Sequence, residues 1–135
     1  MKGTHSFPVR VYYEDTDAAG IVYYANYLKF IERARSEWVR SLGIDQTRLR
    51  EDEGIVFAVR RVEADYLAPA RFDDLLEATT DLVEIGGARL VLAQEVRRGA
   101  QVLFRATVTL VALGPQGATR LPANLRQIMA AMQQR

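Results

Sequence analysis

Between residues 55 and 113 the sequence lays down four long strand patterns in succession, broken only by Pro69, by Gly86-Gly87 and by Gly99-Ala100. They run over 55–67, 74–85, 88–98 and 102–113. In the last, Val102, Phe104, Ala106, Val108, Leu110 and Ala112 alternate with Arg105, Thr107 and Thr109, the period of a strand with one buried face. Strands joined by turns this short lie antiparallel beside one another. Such a sheet needs a cover for its apolar face, and one long helix is at hand. Tyr27, Ile31, Ala34, Trp38 and Leu42 recur at helical spacing, with Glu32, Arg33, Arg35, Glu37 and Arg40 opposite. Gly43 is placed to stop that helix.

The flanks complete the pattern. An earlier strand is expected over 7–13, where Val9, Val11 and Tyr13 alternate with Arg10 and Tyr12. Asp45 is placed to cap a short helical turn reaching about Glu51. Gly114-Pro115-Gln116-Gly117 ends the last strand. Pro122 then opens a helix where proline is tolerated, and Leu125, Ile128, Met129 and Met132 form its apolar face. The economical arrangement is α+β: a curved antiparallel five-stranded sheet wrapped around one long helix, plus a C-terminal helix. At 135 residues, a single domain over 1–135 is expected. Leu103, Val111 and Val91 fall on the outer sheet face, which points to burial by a second copy of the chain.

Elimination narrows the chemistry. Lysine plus arginine number 18 and aspartate plus glutamate 17, so no overall basic excess points to nucleic acid. The absence of cysteine excludes thiolate nucleophiles, disulfides and thiolate metal sites. His5 is the only histidine and is expected on a mobile, inert terminus, which leaves no Ser-His-Asp triad. No zinc helix, nucleophile elbow or glycine-rich phosphate loop is present. Carboxylates, hydroxyls, arginines and backbone amides remain. No signal-peptide pattern or membrane-length apolar run precedes or interrupts the strands, so a cytoplasmic location is expected.

The stretch Y-Y-E-D-T-D-A-A-G-I-V-Y-Y-A-N-Y, residues 12–27, stands out. Glu14, Asp15 and Asp17 crowd into four positions, followed by small residues, aromatics and the start of the long helix. A helix N-terminus offers unpaired N–H groups to an oxyanion, and a nearby carboxylate can attack a carbonyl or activate water. Thioesters suit that equipment, because thiolate leaves without a strong acid. The acids can equally cap a turn and solvate a loop. Tyr12, Tyr13, Tyr23, Tyr24 and Tyr27 can equally be core and interface aromatics.

This stretch, with its continuation L-K-F-I-E-R-A-R-S-E-W, closely resembles the signature of hotdog-fold thioesterases of the 4-hydroxybenzoyl-CoA thioesterase family, nearest its Tol–Pal-associated acyl-CoA thioesterase branch. The pattern D-x-D-x-x-G-x-V-x-x-x-N-Y is carried by Asp15, Asp17, Gly20, Val22, Asn26 and Tyr27. R-R-V-E-A-D-Y-L-A-P-A-R at 60–71 and L-P-A-N-L-R at 121–126 extend the likeness over nearly the whole chain. The resemblance implies a hotdog fold and acyl-CoA thioester hydrolysis. Asp17 is implied as nucleophile or general base, with the Tyr24 N–H polarising the carbonyl. Gly20, Val22, Asn26 and Tyr27 are implied around the substrate, Asp15 and Asn26 shaping the loop and capping the helix. Arg89 is implied near the CoA phosphates, with Arg97 and Arg98 as weaker candidates.

Many members of the Tol–Pal-associated branch carry histidine where this chain has Tyr24; the 4-hydroxybenzoyl-CoA enzyme is similar to this chain there. Aroyl-CoA therefore stands beside aliphatic acyl-CoA as substrate. The resemblance implies no metal and no cofactor beyond the coenzyme A of the substrate, with acyl carrier protein as an alternative carrier. It also implies a dimer or tetramer with the pocket between subunits. Of Arg60 and Arg61, alternation lets at most one face a given site, and one paired and one solvated is expected. Rival readings are a dehydratase or hydratase, which the lack of a second histidine disfavours, and a non-enzymatic module binding acyl groups or acyl carrier protein.

Overall fold

The computed structural model describes residues 4–133. Strand β1 (His5–Arg10) is followed by a single 3-10 turn (Tyr13–Asp15), helix α1 (Asn26–Ser41) and helix α2 (Gln46–Glu53). Strands β2 (Val56–Tyr66), β3 (Leu75–Ile85), β4 (Arg89–Arg98) and β5 (Gln101–Gly114) come next, then the two-residue β6 (Gly117–Ala118) and helix α3 (Ala123–Gln133). The sheet runs β1-β3-β4-β5-β2, antiparallel throughout, with β6 folded back on the end of β5. The α+β arrangement expected from the patterns, and the hotdog fold implied by the resemblance, are therefore present.

The inner face is built by alternation. Leu76, Ala78 and Leu82 of β3, Leu90, Leu92 and Val96 of β4, and Phe104, Ala106, Val108, Leu110 and Ala112 of β5 are buried. Phe30, Ile31, Ala34 and Trp38 of α1 lie against them, each at most 1% exposed. Burying side chains the size of Phe30 or Ile31 contributes roughly 1.5–3 kcal/mol each. Register shifts at Val59/Arg61, Leu82/Glu84 and Val96/Arg97 mark bulges, and bulges bend and twist the strands that wrap the helix. Asp45 caps α2 as expected, accepting from the Thr47 and Arg48 N–H groups at 3.0 and 3.1 Å.

Several expectations need correction. Strand β2 does not lie beside β3. The 67–74 connection carries the chain across the end of the sheet, and β2 pairs with β5 at the far edge. The first strand stops at Arg10, because Asp15 accepts from the Tyr12 N–H at 2.8 Å and winds the next residues into the 3-10 turn. Tyr13, expected to alternate inward, is 82% exposed. His5 is no loose terminal residue: it opens β1 opposite Thr80 and is half-buried. Leu103 is not on the outer face. It is the extra residue of the β4–β5 bulge, between the Val96–Phe104 and Arg97–Val102 pairs, and is fully buried. Val91 and Val111 are half-exposed.

Polar groups cross the core at one level. Fully buried Gln94 donates to the Ile31 carbonyl at 3.0 Å and to the Thr80 hydroxyl at 2.8 Å, and accepts from Arg35 at 3.1 Å. A buried polar group without its partner costs more than the bond contributes. Gln94→Leu is therefore expected to lower stability by about 1–3 kcal/mol, read from the midpoint of urea denaturation.

Candidate active site at the start of the long helix

The acidic stretch folds as a small hairpin. The Tyr23 N–H donates to the Asp15 carbonyl at 3.0 Å, Thr16 bridges Val22, and the Asp17 N–H donates to the Ile21 carbonyl at 2.9 Å. The Gly20 N–H closes the turn on the Asp17 carbonyl at 3.0 Å, and Gly20 has φ +80°. This is a three-residue hairpin loop whose last position needs the left-handed region, which glycine occupies without strain. One oxygen of the exposed Asp17 carboxylate accepts from the Ala19 N–H at 2.9 Å, which orients the group on the turn. The acid therefore does serve the turn, with its second oxygen left over.

Helix α1 begins two residues past the hairpin. The Asn26 and Tyr27 N–H groups reach back to the Tyr23 and Tyr24 carbonyls. The N–H groups of Tyr24 and Ala25 find no backbone acceptor among the described residues. The N-cap, Ala25, has no side chain to offer them. Asn26 is not the cap that was expected; its amide donates to the Asp15 carbonyl at 2.9 Å and ties the loop to the helix. Two donors with the partial positive charge of a helix terminus are thus left for a ligand.

Beside them lies an apolar cavity of about 320 Å³, lined by Ile21, Val22, Tyr24, Tyr27, Tyr66, Leu67, Ala68 and Pro69. Val22 and Tyr27 are buried in its floor. The Tyr27 ring stacks on Phe104 at 5.1 Å and 12°, and its hydroxyl accepts from the buried Ala70 N–H at 3.0 Å. Tyr24, 61% exposed, stands edge-on to Tyr66 at 6.0 Å. Of the five tyrosines of the stretch, only Tyr27 is a core residue. Asp17 does not line the cavity of its own chain.

The 67–74 connection holds this end together. The Leu67 and Ala68 N–H groups donate to the Leu103 carbonyl, Val22 donates to the Ala70 carbonyl, and Ile21 bridges Arg71. Arg98 pairs with Asp74 at 2.7 Å. Burial alone would raise the Asp74 carboxyl, but the Arg71 N–H and the Arg98 guanidinium outweigh it and hold it below the usual carboxylate range. Arg97 pairs with Glu95 on the sheet face.

Arg89 is not brought to this site. It opens β4 at the β3–β4 turn, paired with Glu84, whereas Asp17 lies at the end of the sheet where β4 finishes. The ten residues of β4 span about 30 Å. Arg61 pairs with Glu63 at 3.0 Å, and Arg60 makes no ion pair among the described residues, as expected of that doublet. Sequence reasoning missed Tyr66 and Arg71. Their only signal was a place in the 60–71 stretch, which gives no direction for either side chain.

An antiparallel sheet is thus wound around one helix, with an acidic turn and open N–H groups where that helix starts. A family model described as the thioesterase superfamily matches residues 19–104, a span holding Gly20, Val22, Tyr24, Asn26, Tyr27 and Arg89 and beginning just past Asp17. The acyl-CoA thioesterase YbgC of Haemophilus influenzae is 43% identical over 123 residues, 90% of each chain. The acyl-CoA thioester hydrolase YbgC of Escherichia coli is 44% identical over 105 residues, 78% of each chain. The crystal structure of a probable thioesterase from Bartonella henselae, 39% identical, matches with a TM-score of 0.84 over 88% of this chain and 99% of that one. A 4-hydroxybenzoyl CoA thioesterase mutant in complex with 4-hydroxybenzoyl CoA shares the fold, with a TM-score of 0.87 at 23% identity over 94% of this chain and 99% of that one. The chain belongs to the thioesterase superfamily.

Burial pushes the Tyr27 phenol above its ordinary value of 10.0, against the opposing pull of the Ala70 N–H. The folded chain then keeps a proton that the unfolded chain loses, so this stabilisation is complete below pH 10.0 and is lost as pH rises through the folded value. Tyr27→Phe is expected to remove part of that alkaline loss. At neutral pH it should destabilise by about 1–3 kcal/mol by orphaning the Ala70 N–H. Denaturant titrations of both proteins at pH 7 and pH 11 check both halves.

Proposed function

We propose that this chain hydrolyses acyl-CoA thioesters, with Asp17 as the central carboxylate and the open N–H of Tyr24 as donor to the carbonyl oxygen. The observation that carries the reading is the pairing, within one hairpin and helix start, of an oriented carboxylate with two unaccepted N–H groups beside an apolar cavity. The acyl group occupies the cavity and its carbonyl meets the helix terminus. As general base, Asp17 takes a proton from water while the water oxygen bonds to the acyl carbon; the tetrahedral oxyanion is held by N–H donors and collapses to free acid and CoA thiol. As nucleophile, Asp17 forms a mixed anhydride, expels CoA thiolate, and is freed by water. Neither route calls on a metal or a cofactor beyond the coenzyme A of the substrate.

An oligomer, dimer or tetramer, supports this chemistry. Asp17 stands off the cavity of its own chain, in keeping with a pocket completed by a second copy. Strand β2 is an edge strand with Val56, Val59 and Val62 exposed, an edge that chains commonly cover by pairing. With Arg89 some 30 Å along the sheet, a phosphate-binding role for it also needs the second copy. One domain over 1–135 and a cytoplasmic setting belong to the same reading; among the described residues no helix is long and apolar enough to cross a membrane. The second reading is an aroyl-CoA substrate, favoured by the rings of Tyr24, Tyr27 and Tyr66 around the cavity. Acyl carrier protein stands as the alternative carrier.

Asp17→Asn is expected to fold normally and to lose on the order of 10³-fold or more in kcat, the scale seen on removing a group central to catalysis. Thiol release from aliphatic and aromatic acyl-CoA esters measures it. Retention of most of the activity would discard the assignment. Light scattering of the wild type is expected to give the mass of a dimer or tetramer.

A further inference from the structure

The cavity beside the helix start has a fixed floor and one adjustable wall. Val22 and Tyr27 form the floor, 3% and 4% exposed, and the Tyr27 ring is stacked on fully buried Phe104 and tied to the backbone through its hydroxyl. Tyr66 is different. It ends β2 directly opposite Phe104 and meets three rings edge-on: Phe104 at 5.0 Å, Tyr27 at 5.7 Å and Tyr24 at 6.0 Å. Yet it is 48% exposed, and its hydroxyl makes no hydrogen bond among the described residues. Burial of the ring pushes its phenol up, which keeps the hydroxyl neutral. A ring held only by aromatic edges can change rotamer without breaking a hydrogen bond, at the cost of its edge contacts.

We propose that Tyr66 sets the acyl specificity of this chain: its ring closes the apolar slot over the Val22–Tyr27 floor, so that compact acyl groups, a short chain or a single ring, are taken in preference to long ones. The proposal rests on the cavity holding the acyl group, as in the preceding reading. A longer chain has to displace the Tyr66 ring from all three of its aromatic neighbours. Removing the ring opens the slot toward the β2 edge, where added methylenes gain burial.

Non-hydrolysable S-alkyl-CoA thioethers from ethyl to dodecyl, titrated calorimetrically, test the proposal apart from turnover. Wild type and Tyr66→Phe should favour short alkyl groups, since the ring and not the hydroxyl is the wall. Tyr66→Ala should raise the dodecyl-to-butyl affinity ratio by about tenfold or more, the scale of a methylene or two in an apolar pocket. Tyr66→Trp should move the preference toward shorter groups, and decides the matter should Tyr66→Ala not fold. An unchanged chain-length profile in the folded variants overturns the proposal, as does failure of wild type to bind any thioether. Thiol release from the matching thioesters is run in parallel. A shifted binding profile without thiol release overturns the hydrolase reading and leaves the role of Tyr66 standing.

Discussion

The Tyr27 phenol joins three parts of the molecule that no stretch of sequence brings together. Its backbone belongs to the first turn of α1, its ring lies on Phe104 of β5, and its oxygen accepts the N–H of Ala70 in the connection between β2 and β3. Without that acceptor, the Ala70 N–H sits in a fully buried position with nothing to receive it. The same connection accepts from Val22 and bridges Ile21, so the hairpin that carries Asp17 is braced against a segment some fifty residues away. The acid stands on a mobile-looking loop only in sequence; in space it stands on a buried hydrogen bond.

The two ends of the sheet are built differently. At the Asp17 end the backbone is folded back on itself and two arginines are committed, Arg98 to Asp74 and Arg10 to the Asp73 carbonyl. At the other end the Gly86-Gly87 turn is clamped from the tail: Arg126 donates to both glycine carbonyls at 2.9 and 2.8 Å, and Leu121 donates to the Gly87 carbonyl. The C-terminal helix, which packs Leu125 and Met129 into the core, therefore also fixes the turn from which Arg89 projects. Apolar cover and polar bracing at this end come from the same eleven residues.

Much of this was legible because local patterns report local structure. Alternation over 102–113 and the 3.6-residue spacing from Tyr27 to Leu42 describe side chains that face one surface, and those surfaces exist. Lateral order is another matter. The pairing of β2 with β5 depends on a connection crossing the sheet end, and its pattern looks like that of any turn with a proline. Leu103 obeyed the alternation on paper and left it in the fold, since a bulge is an exception to the very period used to read the strand. Within the candidate site, Asp17, Gly20 and Tyr24 came from one contiguous stretch and a family likeness. Tyr66 lies forty residues further on and reaches the site only through its pairing with Phe104.

The strand order also sets a timetable for synthesis. Helix α1 is complete at Ser41, but β3 and β4, which cover it, run from Leu75 to Arg98. At about 5–20 residues per second, its apolar face waits roughly 3–11 s for a sheet. Strand β1 waits for β3 over a comparable interval, and β2 waits for β5. A nascent chain of this topology therefore shows Phe30, Ile31 and Trp38 to solvent or to a chaperone well before it can hide them.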